Sequence, residues 1–200
     1  MKSILEIYSK LNEAVIQDAR FMKEIFETEV YWPAKPQLTV VDLGAYTGEF
    51  CFYCLPFAKR LYAVEPDPRL FGELEKYIKE FELVEKISTH QLAIGRKNEI
   101  RPFHASGYGG GTFYGNRDIE VKALTLNTFF KENNIEHVDI LKIDVEGAES
   151  EIFNTDDSGE AMSKVDFMIG ELHGAGHEEI KRHGFKLKVD YPGGVFTASR

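Results

Sequence analysis

Two stretches of the chain combine glycines and charged side chains at spacings that suit ligand chemistry. VDLGAYTGEF contains Asp42, Gly44 and Gly48 in the order D-x-G-x-x-x-G, and DILKIDVEGAESEIF places Lys142 and Asp144 in an otherwise apolar run. Glycine permits a sharp turn and a close approach of the backbone to a ligand. Charged groups in an apolar strand are costly unless they are paired or functional. Both stretches are therefore candidate binding sites.

The surrounding pattern places these stretches at one edge of a sheet. Helical segments alternate with apolar runs that predict strands at 38–43, 61–64, 87–94, 138–143 and 165–172, and a hairpin joined by YPGG at 185–189 and 195–198. Helices are predicted over 48–60 with a break at Pro56, over 69–82 and 126–132, from about Gly147, and over 177–183; 119–124 is strand-like. The alternation predicts a doubly wound α/β fold with a mostly parallel, seven-stranded sheet.

Acidic residues fall at the carboxyl ends of four predicted strands, where ligands bind in such folds. They are Asp42, Glu65, Asp144 and Glu171, and Glu65 is placed to accept hydrogen bonds from both ribose hydroxyls of an adenosine. A dinucleotide would require G-x-G-x-x-G for its pyrophosphate, which is absent, and Glu49 in the first helical turn would repel that anion. The acidic edge therefore favours S-adenosylmethionine, a net cation, over NAD.

The order of motifs resembles one family. VDLGAYTGEF, AVEPDP, LTLNTFF, VDILKIDVEGAESEIF and IGELHG, spread over residues 38–173, are similar to the pattern of FkbM-type methyltransferases. The resemblance implies a class I methyltransferase fold and transfer of a methyl group from S-adenosylmethionine, typically to a hydroxyl. It also implies cofactor contacts from the segments around the two glycine motifs and the second strand. The cofactor-binding residues predicted are Asp42, Gly44, Ala45, Tyr46, Gly48, Glu65, Pro66 and Asp144 from these segments, and Ala93 in the third predicted strand.

Methylation of an alcohol needs a group that takes the hydroxyl proton. Asp144, Glu171 and His173 are the candidates because each follows or ends a strand; a hydrogen-bonded loop histidine is the alternative for His173. His173 and His177 are spaced H-x-x-x-H, but the two glycines between them oppose the helix that would align them, so no metal site is predicted. The glycine-rich loop at 106–116 is either a lid over the site or a surface loop.

Charge and composition restrict the acceptor. The formal net charge of −9 opposes a nucleic-acid surface, which depends on Lys and Arg to neutralise phosphates. Asp144-Val145-Glu146-Gly147 stands where enzymes that methylate the amines of bases carry Asn/Asp-Pro-Pro-Tyr/Phe. We therefore predict no nucleic-acid partner. Together with the hydroxyl acceptor that the resemblance implies, this leads us to predict a hydroxyl on a small molecule or a glycan as the acceptor.

Neither a membrane segment nor a signal peptide is predicted. No apolar run approaches the roughly 20 residues of a membrane helix, and the N-terminus lacks an uninterrupted apolar core, so a cytoplasmic location is expected. Cys51 and Cys54 are interpreted as buried apolar side chains. The chain is predicted to be one domain, with a helical cap at 1–33 that includes an amphipathic helix at 4–26, and a core at 34–200.

Two other functions remain open on the sequence. One is a non-catalytic module that binds the cofactor or a partner with the same fold; broken cofactor motifs would indicate it, and the motifs are intact. The other is an NAD-dependent reductase, which the loop spacing and Glu49 oppose.

Overall fold

A seven-stranded sheet organises the part of the chain that this computed structural model describes, which comprises residues 37–105, 119–174, 176–190 and 195–200. The described strands are β1 (Leu38–Leu43), β2 (Ala58–Val64), β3 (Ile87–His90), β4 (Ala93–Ile94), β5 (Glu99–Phe103), β6 (Ile119–Leu124), β7 (Val138–Ile143), β8 (Val165–Glu171), β9 (Lys186–Asp190) and β10 (Val195–Ser199). The main sheet has the order β3-β2-β1-β7-β8-β10-β9, and a small second sheet has the order β4-β6-β5.

The described helices are short, with one exception. They are α1 (Glu49–Cys54), α2 (Pro68–Glu80), α3 (Leu126–Glu132), α4 (Glu149–Phe153), α5 (Ser158–Ser163) and α6 (His177–Arg182). Asp67 caps α2 by accepting hydrogen bonds from the backbone N–H groups of Arg69 and Leu70, which satisfies donors that a helix start leaves unpaired. No helix in these ranges is long and apolar enough to span a membrane.

The main sheet is parallel except at β10, which pairs antiparallel with both β8 and β9. This confirms the predicted doubly wound, mostly parallel α/β fold. β1 lies between β2 and β7, so the chain changes direction across the sheet at β1. A crevice opens at such a switch point beyond the carboxyl ends of the strands, and the two candidate stretches meet there.

Hydrophobic side chains cover both faces of the sheet, because successive residues of a strand point to opposite sides. Val40 and Ile140 pack on one face with α1 and α2 residues such as Phe52 and Leu74. The other face packs against the remaining helices through Val41, Leu43, Leu141, Ile143, Phe129 and Phe153. Full burial of each such side chain stabilises the folded state by about 1.5–3 kcal/mol. This packing on both faces fixes the positions of the strand ends.

Several predicted boundaries were wrong. The predicted third strand at 87–94 divides after His90, and Ala93–Ile94 pairs with β6 in the second sheet. The helix predicted over 48–60 ends at Cys54, β2 starts at Ala58 rather than 61, and α4 starts at Glu149 rather than near Gly147. The predicted N-terminal helix, the glycine-rich loop at 106–116 and the YPGG turn lie outside the described residues.

Candidate active site

Lys142 connects the two motifs across the switch point. It lies on β7, directly opposite Asp42 of β1, and its side chain is 5% exposed. Its Nζ donates a hydrogen bond of 2.6 Å to the carbonyl oxygen of Gly44 and lies 3.2 Å from Asp42 Oδ1 and 3.8 Å from Asp144 Oδ2. Burial alone would lower the pKa of Lys142, but the two carboxylates outweigh burial and raise it. Lys142 therefore stays charged and anchors the β1–α1 loop to the end of β7.

Asp42 does not line the edge of the site as predicted. Its carboxylate is fully buried beneath α1, where it accepts a hydrogen bond from the Cys51 thiol at 3.3 Å and pairs with Lys142. Both cysteines are buried and free, which confirms their predicted burial. Among the described residues, the carboxylate of Asp42 is thus linked to the site through its ion pair with Lys142.

Glycines flank the end of β7 on both sides. A side chain at Gly44 would collide with the carbonyl oxygen of Asp144, and one at Gly170 with the carbonyl oxygen of Ile143. Gly44 also has φ of 76°, in the left-handed region. A Cβ at Gly48 would meet Leu74 Cδ1 at 2.7 Å and Phe52 at 2.8 Å. The absence of a side chain at Gly48 therefore makes room for α2, and the predicted approach of a ligand at Gly48 stays a prediction.

Glu65 follows β2 and joins the first loop to the start of α2. It is 4% exposed, and its Oε2 and Oε1 accept the backbone N–H groups of Tyr46 and Asp67, each at 2.9 Å. Burial raises the pKa of Glu65 to about 7, although these two hydrogen bonds oppose the shift. A carboxylate oxygen has two lone-pair positions, so each oxygen can accept a second hydrogen bond.

The other predicted cofactor residues divide into two groups. Tyr46 and Pro66 are half-buried; the backbone N–H of Tyr46 donates to the Glu65 carboxylate, and Pro66 follows Glu65 in the chain. Ala45 is buried in the core beneath α1. Ala93 packs with Phe103, Val121 and Ala123 inside the second sheet. The side chain of Ala93 is therefore turned into that small core, because the strand to which it was assigned divides before it.

The three predicted catalytic residues come together with two further glutamates. His173 Nδ1 lies 2.7 Å from Glu149 Oε1, and its Nε2 lies 3.6 Å from Glu146 Oε2 and 3.7 Å from Glu171 Oε2. One oxygen of Asp144, one of Glu146 and a ring nitrogen of His173 lie within 4.8 Å of one another. We call Asp144, Glu146, Glu149, Glu171 and His173 the His173 cluster.

The electrostatics of the cluster oppose the predicted role of His173 as the base. The hydrogen bond to Glu149 and the nearby Glu146 raise the pKa of His173 to about 9. At neutral pH the imidazole is therefore protonated and cannot accept a proton. The carboxylates of Asp144 and Glu171, whose side chains are 21% and 27% exposed, remain the candidates for the base.

Glu149 is the residue that sequence reasoning missed most clearly. From the sequence alone, Glu146 and Glu149 are explained as acidic residues that stabilise a helix N-terminus through its dipole. Glu149 is in fact fully buried, binds His173 and accepts the backbone N–H of Gly147 at 3.2 Å. The signal in the sequence was an acidic residue placed between the apolar positions of GAESEIF, next to a strand that already carried Lys142.

The fit of these residues to S-adenosylmethionine can be judged from their chemistry. Glu65 offers free lone pairs for ribose hydroxyls at the end of β2, and the partly exposed carboxylates of Asp144 and Glu146 suit a cationic group. Glu49 lies in the first turn of α1, where a dinucleotide would place its pyrophosphate. The donor and acceptor set thus fits a cationic nucleoside ligand.

Comparison with known proteins agrees with this geometry. The family model described as methyltransferase FkbM domain matches residues 42–189, a segment that contains every part of the site described above. None of the curated proteins compared with the chain matches it.

Similar solved structures share the fold at low identity. They include a precorrin-6y C5,15-methyltransferase from Geobacter metallireducens, with a TM-score of 0.54, 11% identity, and coverage of 90% of this chain and 89% of that one. A protein of the NADB-Rossmann superfamily from Streptococcus agalactiae has a TM-score of 0.58, 12% identity, and coverage of 89% and 68%. A putative tRNA (m1A22) methyltransferase from Streptococcus pneumoniae, in complex with S-adenosyl-L-methionine, has a TM-score of 0.52, 12% identity, and coverage of 82% of this chain and 65% of its own length.

Proposed function

The chain belongs to the FkbM methyltransferase family, and from that premise we propose that it transfers a methyl group from S-adenosylmethionine to a hydroxyl of a small molecule or a glycan. The observation that carries the proposal is the position of Glu65, whose carboxylate joins the β1–α1 loop to the start of α2 at the switch point. An open α/β sheet binds its ligand at that place.

Cofactor binding would use residues from three strand ends. Glu65 would accept the ribose hydroxyls, with Tyr46 and Pro66 beside it. Lys142 keeps the Gly44 turn in position, and the Asp144 carboxylate would attract the positively charged end of the ligand. When bound, S-adenosylmethionine supplies the electrophilic methyl carbon.

The residues of the chain would contribute position and a proton acceptor. Orientation of two reactants at about 3–3.5 Å can account for most of the acceleration of an in-line displacement. The acceptor oxygen would form its bond to the methyl carbon as the bond from that carbon to the sulfonium sulfur breaks, so that S-adenosylhomocysteine would leave with the electron pair on sulfur. The hydroxyl proton would pass to Asp144 or Glu171. His173 cannot take that proton while it is protonated, and instead it would hold Glu149, Glu146 and Glu171 together.

The predicted exclusion of nucleic acid stays a prediction. The formal net charge of −9 opposes a broad phosphate-binding surface. A structure with the same fold is described as a putative tRNA methyltransferase, so the fold is compatible with either kind of acceptor. The charge favours a small or glycan hydroxyl.

A transfer assay tests the proposal. The protein is incubated with S-adenosylmethionine labelled in its methyl group, and the label is followed into sugars, small alcohols and bulk RNA in parallel. We expect label in a hydroxyl acceptor. If Asp144 is the base, Asp144→Asn should reduce turnover by about 10²–10⁴ while cofactor affinity changes little. Label that enters RNA alone would refute the proposed acceptor, and an affinity loss without a turnover loss would assign Asp144 to cofactor binding.

A further inference from the structure

We propose that the His173 cluster binds a divalent metal cation through Asp144, Glu146 and His173. Their ligand atoms converge within 4.8 Å of one another, and the Nε2 of His173 and the Oε2 of Glu146 are 3.6 Å apart. Two ligands at about 2.1 Å from an ion are about 3.0 Å apart at a right angle and about 4.2 Å apart on opposite sides. The three side chains would therefore have to close by about 0.6 Å or more to bind one ion, since the His173–Glu146 pair at 3.6 Å is wider than the right-angle spacing.

The arrangement around His173 is that of a supported metal ligand. Histidines that bind metals commonly donate their second ring N–H to a carboxylate, which fixes the tautomer and the direction of the ring. Here Nδ1 of His173 lies 2.7 Å from the buried carboxylate of Glu149. The other ring nitrogen, Nε2, consequently faces Glu146 and Glu171.

A second observation concerns Glu149 itself. The residue is fully buried, and its Oε2 has no hydrogen-bond partner among the described residues. A buried carboxylate oxygen without a donor is costly, and a cation next to the same carboxylate would lower that cost.

The ligand set limits the kind of cation and its use. One imidazole and two carboxylates suit a first-row divalent transition-metal cation such as Mn²⁺. They suit a cation that prefers oxygen ligands alone less well. Three protein ligands leave positions for other groups, as in catalytic metal sites. On the proposed function, the acceptor hydroxyl would take such a position and become more acidic. With Asp144 on the cation, Glu171 is the carboxylate left to receive the proton.

The test measures Mn²⁺ binding in the full chain without cofactor or acceptor, so that it is independent of methyl transfer. Free Mn²⁺ is followed by its electron paramagnetic resonance signal after the protein has been treated with a chelator and dialysed. The variants are Glu146→Gln and His173→Gln. The control is His137→Gln, which disrupts the other three-residue group of potential ligands, His137, Asp139 and Asp166, elsewhere in the described chain.

We expect one Mn²⁺ per chain in the wild type and in His137→Gln, and an affinity that falls by about tenfold or more in both cluster variants. Absence of binding at about 1 mM Mn²⁺ would overturn the proposal. So would binding that survives both cluster variants or disappears in His137→Gln. If His173→Gln fails to fold, the half-exposed Glu146 provides the decisive variant. A failure of methyl transfer with intact Mn²⁺ binding would refute the proposed function and leave the metal site standing.

Discussion

Replacement of Lys142 by methionine should destabilise the protein strongly, because it leaves a buried carboxylate without its partner. Asp42 is fully buried and Lys142 is 5% exposed, so solvent cannot substitute for the lost cation. Removal of one member of a buried ion pair costs about 3–5 kcal/mol. The free energy of unfolding of a domain is about 5–15 kcal/mol, and Lys142→Met should therefore remove a large share of it.

A second substitution separates this explanation from a simple loss of packing. Asp42→Asn removes the charge and keeps the shape, so the double variant Asp42→Asn/Lys142→Met should recover part of the loss, by about 1 kcal/mol or more. Lys181→Met is the matched control, since Lys181 forms an exposed pair with Glu178 at 2.8 Å. Exposed pairs contribute about 0–1 kcal/mol.

Urea denaturation of the four proteins gives the required free energies, provided that the slopes of the transitions agree. A loss below about 1 kcal/mol in Lys142→Met would contradict the reasoning, since it would equal that of an exposed pair. A double variant that is no more stable than Lys142→Met would show that the buried charge of Asp42 is not the cause.

Three further predictions concern the same edge of the sheet. Gly170→Ala should lower the free energy of unfolding by about 1–3 kcal/mol or more, because φ is 148° and the new Cβ meets the carbonyl of Ile143. Gly72→Ala in α2, where a Cβ has nothing within 4 Å, should instead stabilise the protein by about 0.5–1 kcal/mol. Equal effects of the two substitutions would refute the predicted clash at Gly170. The pKa of His173 is raised to about 9 from 6.5, so its contribution to stability is complete below pH 6.5 and disappears as the pH rises through 9. His173→Gln should therefore lose stability relative to wild type at pH 6 but not at pH 10, as measured by urea denaturation, and a constant difference would contradict the shift. The pKa of Glu65 is raised to about 7, and hydroxyl donors bind the ionised carboxylate best. The affinity for S-adenosylmethionine should therefore increase between pH 6 and pH 8. The same increase in Glu65→Gln would assign the pH dependence to another group.

The sequence predicts the main sheet well because its strands carry their own signal. β1, β7 and β8 are buried on both faces and appear as continuous apolar runs, and each ends in a glycine or an acidic residue that marks the carboxyl edge. The alternation with helices then determines which ends meet. The same local logic placed Glu65, Asp144 and His173 at one edge.

Features that depend on distant pairing could not be predicted in this way. The stretch ISTHQLAI has no proline or glycine to mark the division after His90, and only the pairing of Ala93 with Ala123 shows that the chain enters a second sheet there. The burial of Asp42 depends on Lys142, a hundred residues later along the chain. Glu149 and His173 meet only because α4 and the end of β8 are adjacent in the fold.

The most direct test of the central claim is calorimetric titration of the protein with S-adenosylmethionine and with NAD under identical conditions. We expect one S-adenosylmethionine to bind per chain and no measurable binding of NAD. In Glu65→Ala the affinity for S-adenosylmethionine should fall by about tenfold or more, since a charge-assisted hydrogen bond is worth about 1.5–3 kcal/mol. Binding of NAD without S-adenosylmethionine, or an affinity that changes by less than about threefold in Glu65→Ala, would contradict the account.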